Sequence, residues 1–380
     1  MAIHNWQSNS PYATFQTFAS SLPGEGLVPA CPRTFDIIDG YLMSSVAIHG
    51  EHSSGLVTAD FGDSRAEFHA LLSGCGVYDL AWRAKIALTG GDRVRWLNGM
   101  ISNNVRDLTT GNGVYAFLLN AQGRIQADLY AFQRGESLLV DTERSQREKV
   151  LQLFDHYIIA DDVEVADISD QLTALGLTGP ESRSVLERAG ISVPPLGYLQ
   201  FADMKWNDVS ITVLRSGEEV KESWQVWIAP EHVRGLWDSL AKAGARPSGT
   251  SALNLFRISR GIPQFGPDIR ERDLPQETGQ MRALSFTKGC YLGQEIVERI
   301  RSRGAVHRRF GAFAVEGPLP VPGTKIQAEG KEAGEITSSA TLPLPGGDRA
   351  VALGYLRREA VGKELHAGEA RLTQAQTTIQ

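Results

Sequence analysis

The chain changes texture after Arg309. Upstream, stretches with helical spacing alternate with stretches that read as strands. Downstream, short β runs at Phe310–Val315, Thr324–Ile326, Glu335–Ser338 and Ala350–Tyr355 are separated by Gly and Pro. That pattern predicts a small all-β module, a barrel ending near Leu372. The 380 residues exceed what one hydrophobic core usually serves, so the barrel is expected to follow larger mixed modules. The fold class that results is α+β.

The mixed region carries readable elements. Phe68 to Leu80 predicts a short helix, a Gly-Cys-Gly turn and the run Val77-Tyr78-Asp79-Leu80. Lys85–Leu88 predicts a strand, and Gly90-Gly91-Asp92 a cap for a helix whose apolar face is Val94, Leu97, Met100 and Ile101. Tyr115–Leu119 and Ile125–Phe132 predict two strands joined by the turn Asn120-Ala121-Gln122-Gly123, a hairpin with Asp128 in its far arm. Gly111-Asn112-Gly113 reads as a further hairpin turn. Ser145–Tyr157 predicts an amphipathic helix. Val163–Ala166, Leu172–Leu177, Ile211–Leu214 and Trp224–Ile228 predict strands. Pro230–Ala243 and Leu253–Arg260 predict helices, the first with His232 and Arg234 on its solvent side. Residues 1–33 hold Pro11, Pro23, Pro29 and Pro32 among small polar residues, so an irregular extension is expected there. The expected domains are 1–35 for the extension, 36–304 for the mixed region and 305–380 for the barrel.

Charge and cysteine content exclude several function classes. With 38 Lys+Arg against 44 Asp+Glu, the net charge is −6, which argues against a general nucleic-acid coat or a polybasic membrane binder. The cysteines Cys31, Cys75 and Cys290 form no CxxC pair, so a disulfide framework is not expected and a reducing cytosol suits the chain. No Lys or Arg precedes Arg33 and no apolar run nears the roughly 20 residues of a membrane helix. The expected compartment is the cytoplasm.

Chemistry concentrates in Lys288-Gly289-Cys290-Tyr291-Leu292-Gly293-Gln294-Glu295. Glycines beside the cysteine let the backbone bend and keep the thiol uncrowded. Lys288 and the following Arg299, Arg301, Arg303, Arg308 and Arg309 make residues 270–309 locally +4, with nine Lys+Arg and five Asp+Glu. Positive charge and a helix N-terminus favour thiolate. The alternative is that Cys290 is a small buried hydrophobe beside a turn. The arginine run fits a phosphate, RNA or acidic partner, or else a solvated face paired with Glu295 and Glu298. Asp128 in mid-strand needs a reason, because strands disfavour Asp. It either bonds a ligand N–H, acts as a general base, or lies exposed on an edge strand. His49 and His52 have no third ligand near them in sequence and read as ordinary loop histidines.

Lys288 to Glu295 matches the signature K-G-C-Y-x-G-Q-E. The chain thereby resembles the YgfZ family, the folate-binding, T-protein-like factors linked to iron–sulfur proteins and related to mitochondrial iron–sulfur assembly homologues. Val77–Ile86 with Leu97–Val105 resembles the opening of the glycine-cleavage T-protein fold. Leu118 through Asp128-Leu129 resembles its L-N-x-x-G-x-I-x-x-D-L hairpin. Arg257 through Gly261-Ile262-Pro263 resembles R-x-x-x-G-I-P, and Leu274-Pro275-Gln276-Glu277 resembles L-P-x-E. The resemblance spans roughly residues 65–370. It implies two intertwined mixed α/β subdomains around a central cavity, followed by the barrel, with tetrahydrofolate or a one-carbon derivative as ligand. It assigns Tyr115, Asn120, Asp128, Gln225 and Arg257 to folate, with Asp128 and Cys290 as catalytic candidates. Lys288, Gly289, Cys290, Tyr291, Gly293, Gln294, Glu295 and Arg299 form the family motif, with a second site expected at the cavity rim.

The chain departs from T-proteins in three places. Gln225 stands where their glutamate grips the pterin, Ala127 replaces the first of two aspartates, and Ser259 stands where Glu is usual. Cys290 has no T-protein counterpart. The resemblance therefore implies a folate-binding accessory factor for iron–sulfur enzymes, including tRNA-modifying ones, with a tetrahydrofolate-dependent aminomethyltransferase or demethylase as the alternative. A monomer with iron–sulfur client or assembly proteins as partners is expected, with no strong direct nucleic-acid binding and no metal site of its own.

Overall fold

The computed structural model describes residues 48–52, 55–217, 222–304 and 306–375. The extension expected over 1–35, with Cys31, lies outside them. β1 (Ile48–His52) and β2 (Gly55–Asp60) form an antiparallel hairpin, so His49 and His52 fall on a strand rather than in a loop.

Two sheets make the mixed region, antiparallel but for one parallel edge pair in the second. The first is five-stranded, in the order β5-β6-β7-β4-β8. Its strands are β4 (Arg83–Thr89), β5 (Asn112–Leu119), β6 (Ile125–Gln133), β7 (Leu138–Glu143) and β8 (Glu164–Asp167). The alternation of β6 decides its two faces. Ala127, Leu129 and Ala131 join Ala116, Leu118, Ile86 and Val140 under two helices, α2 (Arg93–Met100) and α3 (Arg144–Tyr157). Those helices contribute Trp96, Leu97, Val150 and Phe154 to the same core. Asp128, Tyr130 and Phe132 point the other way.

The second sheet is six-stranded, in the order β10-β11-β12-β9-β3-β13. It comprises β3 (Gly76–Asp79), β9 (Thr173–Thr178), β10 (Phe201–Trp206), β11 (Val209–Arg215), β12 (Ser223–Ile228) and β13 (Arg246–Pro247). Leu175, Leu177, Val213, Trp224 and Val226 pack on its outer face against Val185 and Leu186 of α4 (Ser182–Arg188) and Leu236 and Leu240 of α5 (Val233–Lys242). The opposite face of this sheet, with Ala174, Leu214 and Trp227, shares a core with Tyr115, Phe117 and Phe132 of the first. The two sheets thus turn facing surfaces toward each other. α1 (Ser64–Ser73) and α6 (Thr250–Ser259) pack together against the last module.

That module is a closed six-stranded barrel, β14-β17-β16-β15-β18-β19. Its strands are β14 (Arg308–Glu316), β15 (Lys325–Ala328), β16 (Lys331–Leu344), β17 (Gly347–Arg357), β18 (Leu365–Ala367) and β19 (Ala370–Gln374). α7 (Gln294–Arg303) leads into it. Among the described residues no helix is long and apolar enough to cross a membrane.

The structure differs from the sequence reading at several points. Asn112 starts β5 instead of turning a hairpin, and Gly113 is required there because a Cβ would lie 2.3 Å from the Phe132 ring. Asp92 accepts from the Asp162 backbone N–H at 3.0 Å and does not cap α2 with its side chain. Pro230–His232 is a 3₁₀ turn, and the helix proper begins at Val233. Strand β10 and helix α4 were not foreseen, β10 because Asp203 and Lys205 interrupt its apolar run.

Cys75 is buried at the foot of β3, and burial pushes its thiol from 9.0 up to about 11. The native state therefore keeps a proton that the unfolded chain releases above pH 9. Stability contributed by this group falls as pH rises from about 9 to about 11, by roughly 2–3 kcal/mol. Urea unfolding across that window shows this decline in the wild type, and Cys75→Ala loses that part of the slope.

Candidate functional site

A cavity of about 290 Å³ opens between the facing sheets and α6, near the lower end of the ~300–1,000 Å³ range of ligand pockets. Tyr130, Phe132, Tyr198 and Phe256 give it aromatic walls. Asp141, Gln225, Arg260 and Arg282 supply its charged and amide groups.

Asp128 is one pleat from Tyr130 on the same face of β6, which is a central strand and not an edge. Tyr115 donates its hydroxyl to Oδ2 at 2.7 Å, and Gln146 Nε2 donates to Oδ1 at 2.8 Å. Gln146 also accepts from the Asp128 N–H at 2.9 Å, and the Asp128 carbonyl accepts from Thr142. The carboxylate is fixed at both oxygens, yet each oxygen keeps a second acceptor position. Burial first, and the Asp128 charge second, push the Tyr115 hydroxyl well above its ordinary value, so it stays a donor. The same two causes raise the buried Glu143 carboxyl.

Beside it runs a buried ion triad. Arg83 donates to Asp141 Oδ1, and Lys85 Nζ donates to Asp141 Oδ2 at 3.0 Å. Burial alone would raise the Asp141 carboxyl, but the Arg83 and Lys85 charges override it and hold it below its ordinary value. Burial lowers Lys85. Arg83 and Lys85 also lie over aromatic rings, at 5.4 Å from Tyr130 and 5.6 Å from Trp227 respectively. A lone Asp in the apolar run Leu138-Leu139-Val140-Asp141 was the sequence signal for this triad. Arg282 was also missed. Its guanidinium lies 5.2 Å from the Tyr115 ring centre and donates to the Tyr198 hydroxyl at 3.2 Å.

Gln225 lines the cavity as its place in β12 requires. The Trp227 indole N–H is a donor only, and it contacts Oε1 of Gln225 at 2.9 Å. One acceptor position of the amide oxygen is therefore engaged, and the NH₂ group keeps its donors for a ligand.

Two residues assigned to folate are committed elsewhere. Arg257 donates to Asp268 Oδ2 at 2.6 Å, Ser338 Oγ at 3.0 Å and Asn254 at 2.8 Å, which ties α6 to the barrel. Arg260, one turn on, faces the cavity instead. Asn120 accepts from the Gln122 and Arg124 N–H groups at 3.0 and 2.9 Å and holds its own turn.

The 288–295 segment divides into anchors and an exposed part. Lys288 is buried, and its ammonium donates to the carbonyls of Asn98, of Ile101 at 2.6 Å and of Asn103 at 2.8 Å. Burial, then the Arg106 charge, push it down to about 7, while the three carbonyls favour the charged form. The three ammonium protons of Lys288 thus all go to carbonyls, which leaves none for the thiol. Tyr291 is buried in the core shared with Tyr115 and Phe117. Gly293, at φ +80°, packs on the hairpin turn, where a Cβ would lie 2.5 Å from the Asn120 carbonyl oxygen. Gly123, at φ +68°, meets Ile296 from the other side. The hairpin turn and the cysteine motif therefore fit as one unit. Gly289 and Cys290 are exposed between these anchors. Gln294 opens α7, and Glu295 and Arg299 are exposed on it.

Within the basic stretch, Arg301 and Arg308 are paired. Arg308 bonds Asp273 at 2.7 Å and Glu277 at 3.1 Å. Arg301 reaches Glu298 at 3.5 Å and lies over the Phe286 ring. Among the described residues no group of three His, Cys, Asp or Glu is placed to hold a metal ion.

Residues 39–288 match the GCVT N-terminal domain family, and residues 307–378 match the CAF17 C-terminal beta-barrel domain. An aminomethyltransferase of Rubrobacter xylanophilus is 30% identical, the match covering 78% of this chain and 80% of that one. A putative chloroplastic transferase of Arabidopsis thaliana is 24% identical over 87% of this chain and 77% of its own length. The crystal structure of glycine cleavage system aminomethyltransferase T from Bartonella henselae superposes with a TM-score of 0.80 at 19% identity, covering 89% of this chain and 95% of that one.

Proposed function

The chain belongs to the GCVT domain family, completed by a CAF17-type barrel, and from that premise we propose that it is a folate-binding accessory protein supporting assembly, maintenance or repair of iron–sulfur enzymes. Its clients include tRNA-modifying enzymes, and it works as a cytoplasmic monomer. The observation that carries this reading is the exposed Cys290 on a loop anchored by Lys288, Tyr291 and Gly293. Such a thiol is presented to another macromolecule and is held at a fixed place while it is presented. One thiolate cannot hold a cluster alone, so the partner supplies the other ligands.

Tetrahydrofolate fits the cavity in kind. Its planar rings match the walls of Tyr130, Phe132 and Tyr198, and Gln225 lines the same cavity, while Tyr115 and Asp128 adjoin Tyr130 without lining it. Tetrahydrofolate supplies one-carbon chemistry wherever it is bound. The residues here position it: Tyr115 and Gln146 fix the Asp128 carboxylate, and the Gln225 amide offers donors.

A second reading is a tetrahydrofolate-dependent aminomethyltransferase or demethylase, with Asp128 as base. The Rubrobacter relative favours it. Gln225 in place of a carboxylate and the double anchoring of Asp128 weigh against it. Turnover of an aminomethyl or N-methyl donor by purified protein, lost in Asp128→Asn, would establish that reading.

In cells carrying Cys290→Ala as their sole copy, iron–sulfur client enzymes are expected to lose most of their activity while the purified variant still binds folate. Full client activity in that strain would remove the cysteine from the mechanism.

A further inference from the structure

Arg260 is a cation in the cavity wall with no acid to neutralise it. Among the described residues it forms no ion pair. Its Nε is buried without a hydrogen-bond acceptor, and its guanidinium lies 5.7 Å from the Phe256 ring centre. The side chain is half-buried, and a buried donor left without an acceptor costs free energy that an entering carboxylate or phosphate would recover. The neighbouring Arg257 shows the ordinary outcome, with Asp268 at 2.6 Å.

Gln225 adds donors to the same cavity. Its oxygen accepts from Trp227, and its NH₂ group keeps its donors for a ligand. The one carboxylate in the lining, Asp141, is already engaged by Arg83 and Lys85, so that triad carries a net charge of +1. The cavity therefore combines aromatic walls with donors and excess positive charge.

We propose that Arg260 forms an anion subsite in this cavity, which takes the carboxylate or phosphate of a ligand whose remainder is a planar aromatic body. Folate is one such ligand, and the subsite does not require it. The aromatic part stacks on the walls, while the acid group meets the guanidinium in charge-assisted hydrogen bonds.

Three probes test this by calorimetry: p-aminobenzoylglutamate as an aromatic body bearing carboxylates, phenyl phosphate as an aryl phosphate, and 6-methyltetrahydropterin, which has no acid group. At least one of the two acids is expected to bind the wild type, and which one binds identifies the chemistry. Arg260→Gln weakens that binding by about 10-fold or more, as expected for losing a hydrogen bond to a charged group. Arg260→Lys keeps a cation and retains most of the affinity. Gln225→Glu still accepts from Trp227 but places a negative charge in the same cavity, and it too weakens acid binding. Thermal melts confirm that each variant is folded. Equal affinity in wild type and Arg260→Gln, or no binding of either acid to the wild type, overturns the subsite. The pterin probe reports the folate reading separately: acids that bind while it does not leave the subsite standing without that reading.

Discussion

Replacing Asp268 by alanine is expected to remove about 3–5 kcal/mol of stability, the usual result of breaking a buried ion pair from one side. Asp268 is fully buried. Its Oδ2 accepts from Arg257 at 2.6 Å and from the Gln264 N–H at 3.0 Å, and its Oδ1 accepts from Ser338 at 2.8 Å and from Thr337. Four donors from α6, the following loop and strand β16 converge on one carboxylate. Its removal leaves the Arg257 guanidinium without an acid and the Ser338 hydroxyl without an acceptor at the seam between α6 and the barrel, while Thr337 keeps only the Leu353 carbonyl at 3.3 Å. Tyr355 closes the same seam by donating to the Asp268 carbonyl at 2.8 Å. Urea unfolding reads the loss as a lower midpoint at unchanged slope. Asp268→Asn keeps the shape and one acceptor oxygen and should fall between. A loss under about 1 kcal/mol in Asp268→Ala, the level of a surface pair, would mean that this carboxylate does not hold the barrel in place.

The second large effect is at Lys288. Methionine matches its length but carries no donor, so Lys288→Met leaves three carbonyls without their partner. Each buried unpaired group costs about 1 kcal/mol or more, giving a loss of roughly 3 kcal/mol. The damage is local before it is global. The Ser285 N–H bonds the Ser102 carbonyl at 2.9 Å, and the Leu292 N–H bonds the Gly99 carbonyl at 3.1 Å. Both bonds close the same seam as the ammonium, so both amides should exchange with solvent markedly faster in Lys288→Met. The cysteine loop then loses its fixed place, and client activity falls even though Cys290 remains. Unchanged exchange at both amides would show that the loop holds itself by other means.

Much of this was legible in the sequence, for physical reasons. The hairpin carrying Tyr115 and Asp128 was readable because strand alternation sorts Ala127, Leu129 and Ala131 to one side and Asp128 and Tyr130 to the other. The barrel was readable because its breakers fall at turn spacing. What escaped depends on partners distant in sequence. Lys288 sits two residues from Cys290, and proximity along the chain suggested a charge that acts on the thiol. The carbonyl nest that captures it is built 185 to 190 residues earlier. Arg257 and Arg260 are one helical turn apart, and nothing local says which of them faces Asp268 and which faces the cavity. Gln225 was visible as a departure from a glutamate, but the engagement of its oxygen by Trp227 needed the strand's geometry.

Calorimetric titration of tetrahydrofolate forms into the wild type and Asp128→Ala tests the central claim most directly. The wild type should release or absorb heat with at least one form. Asp128→Ala removes the carboxylate that Tyr115 and Gln146 hold in place and should bind that form about 10-fold or more weakly. No heat from the wild type with any tetrahydrofolate form would contradict the account.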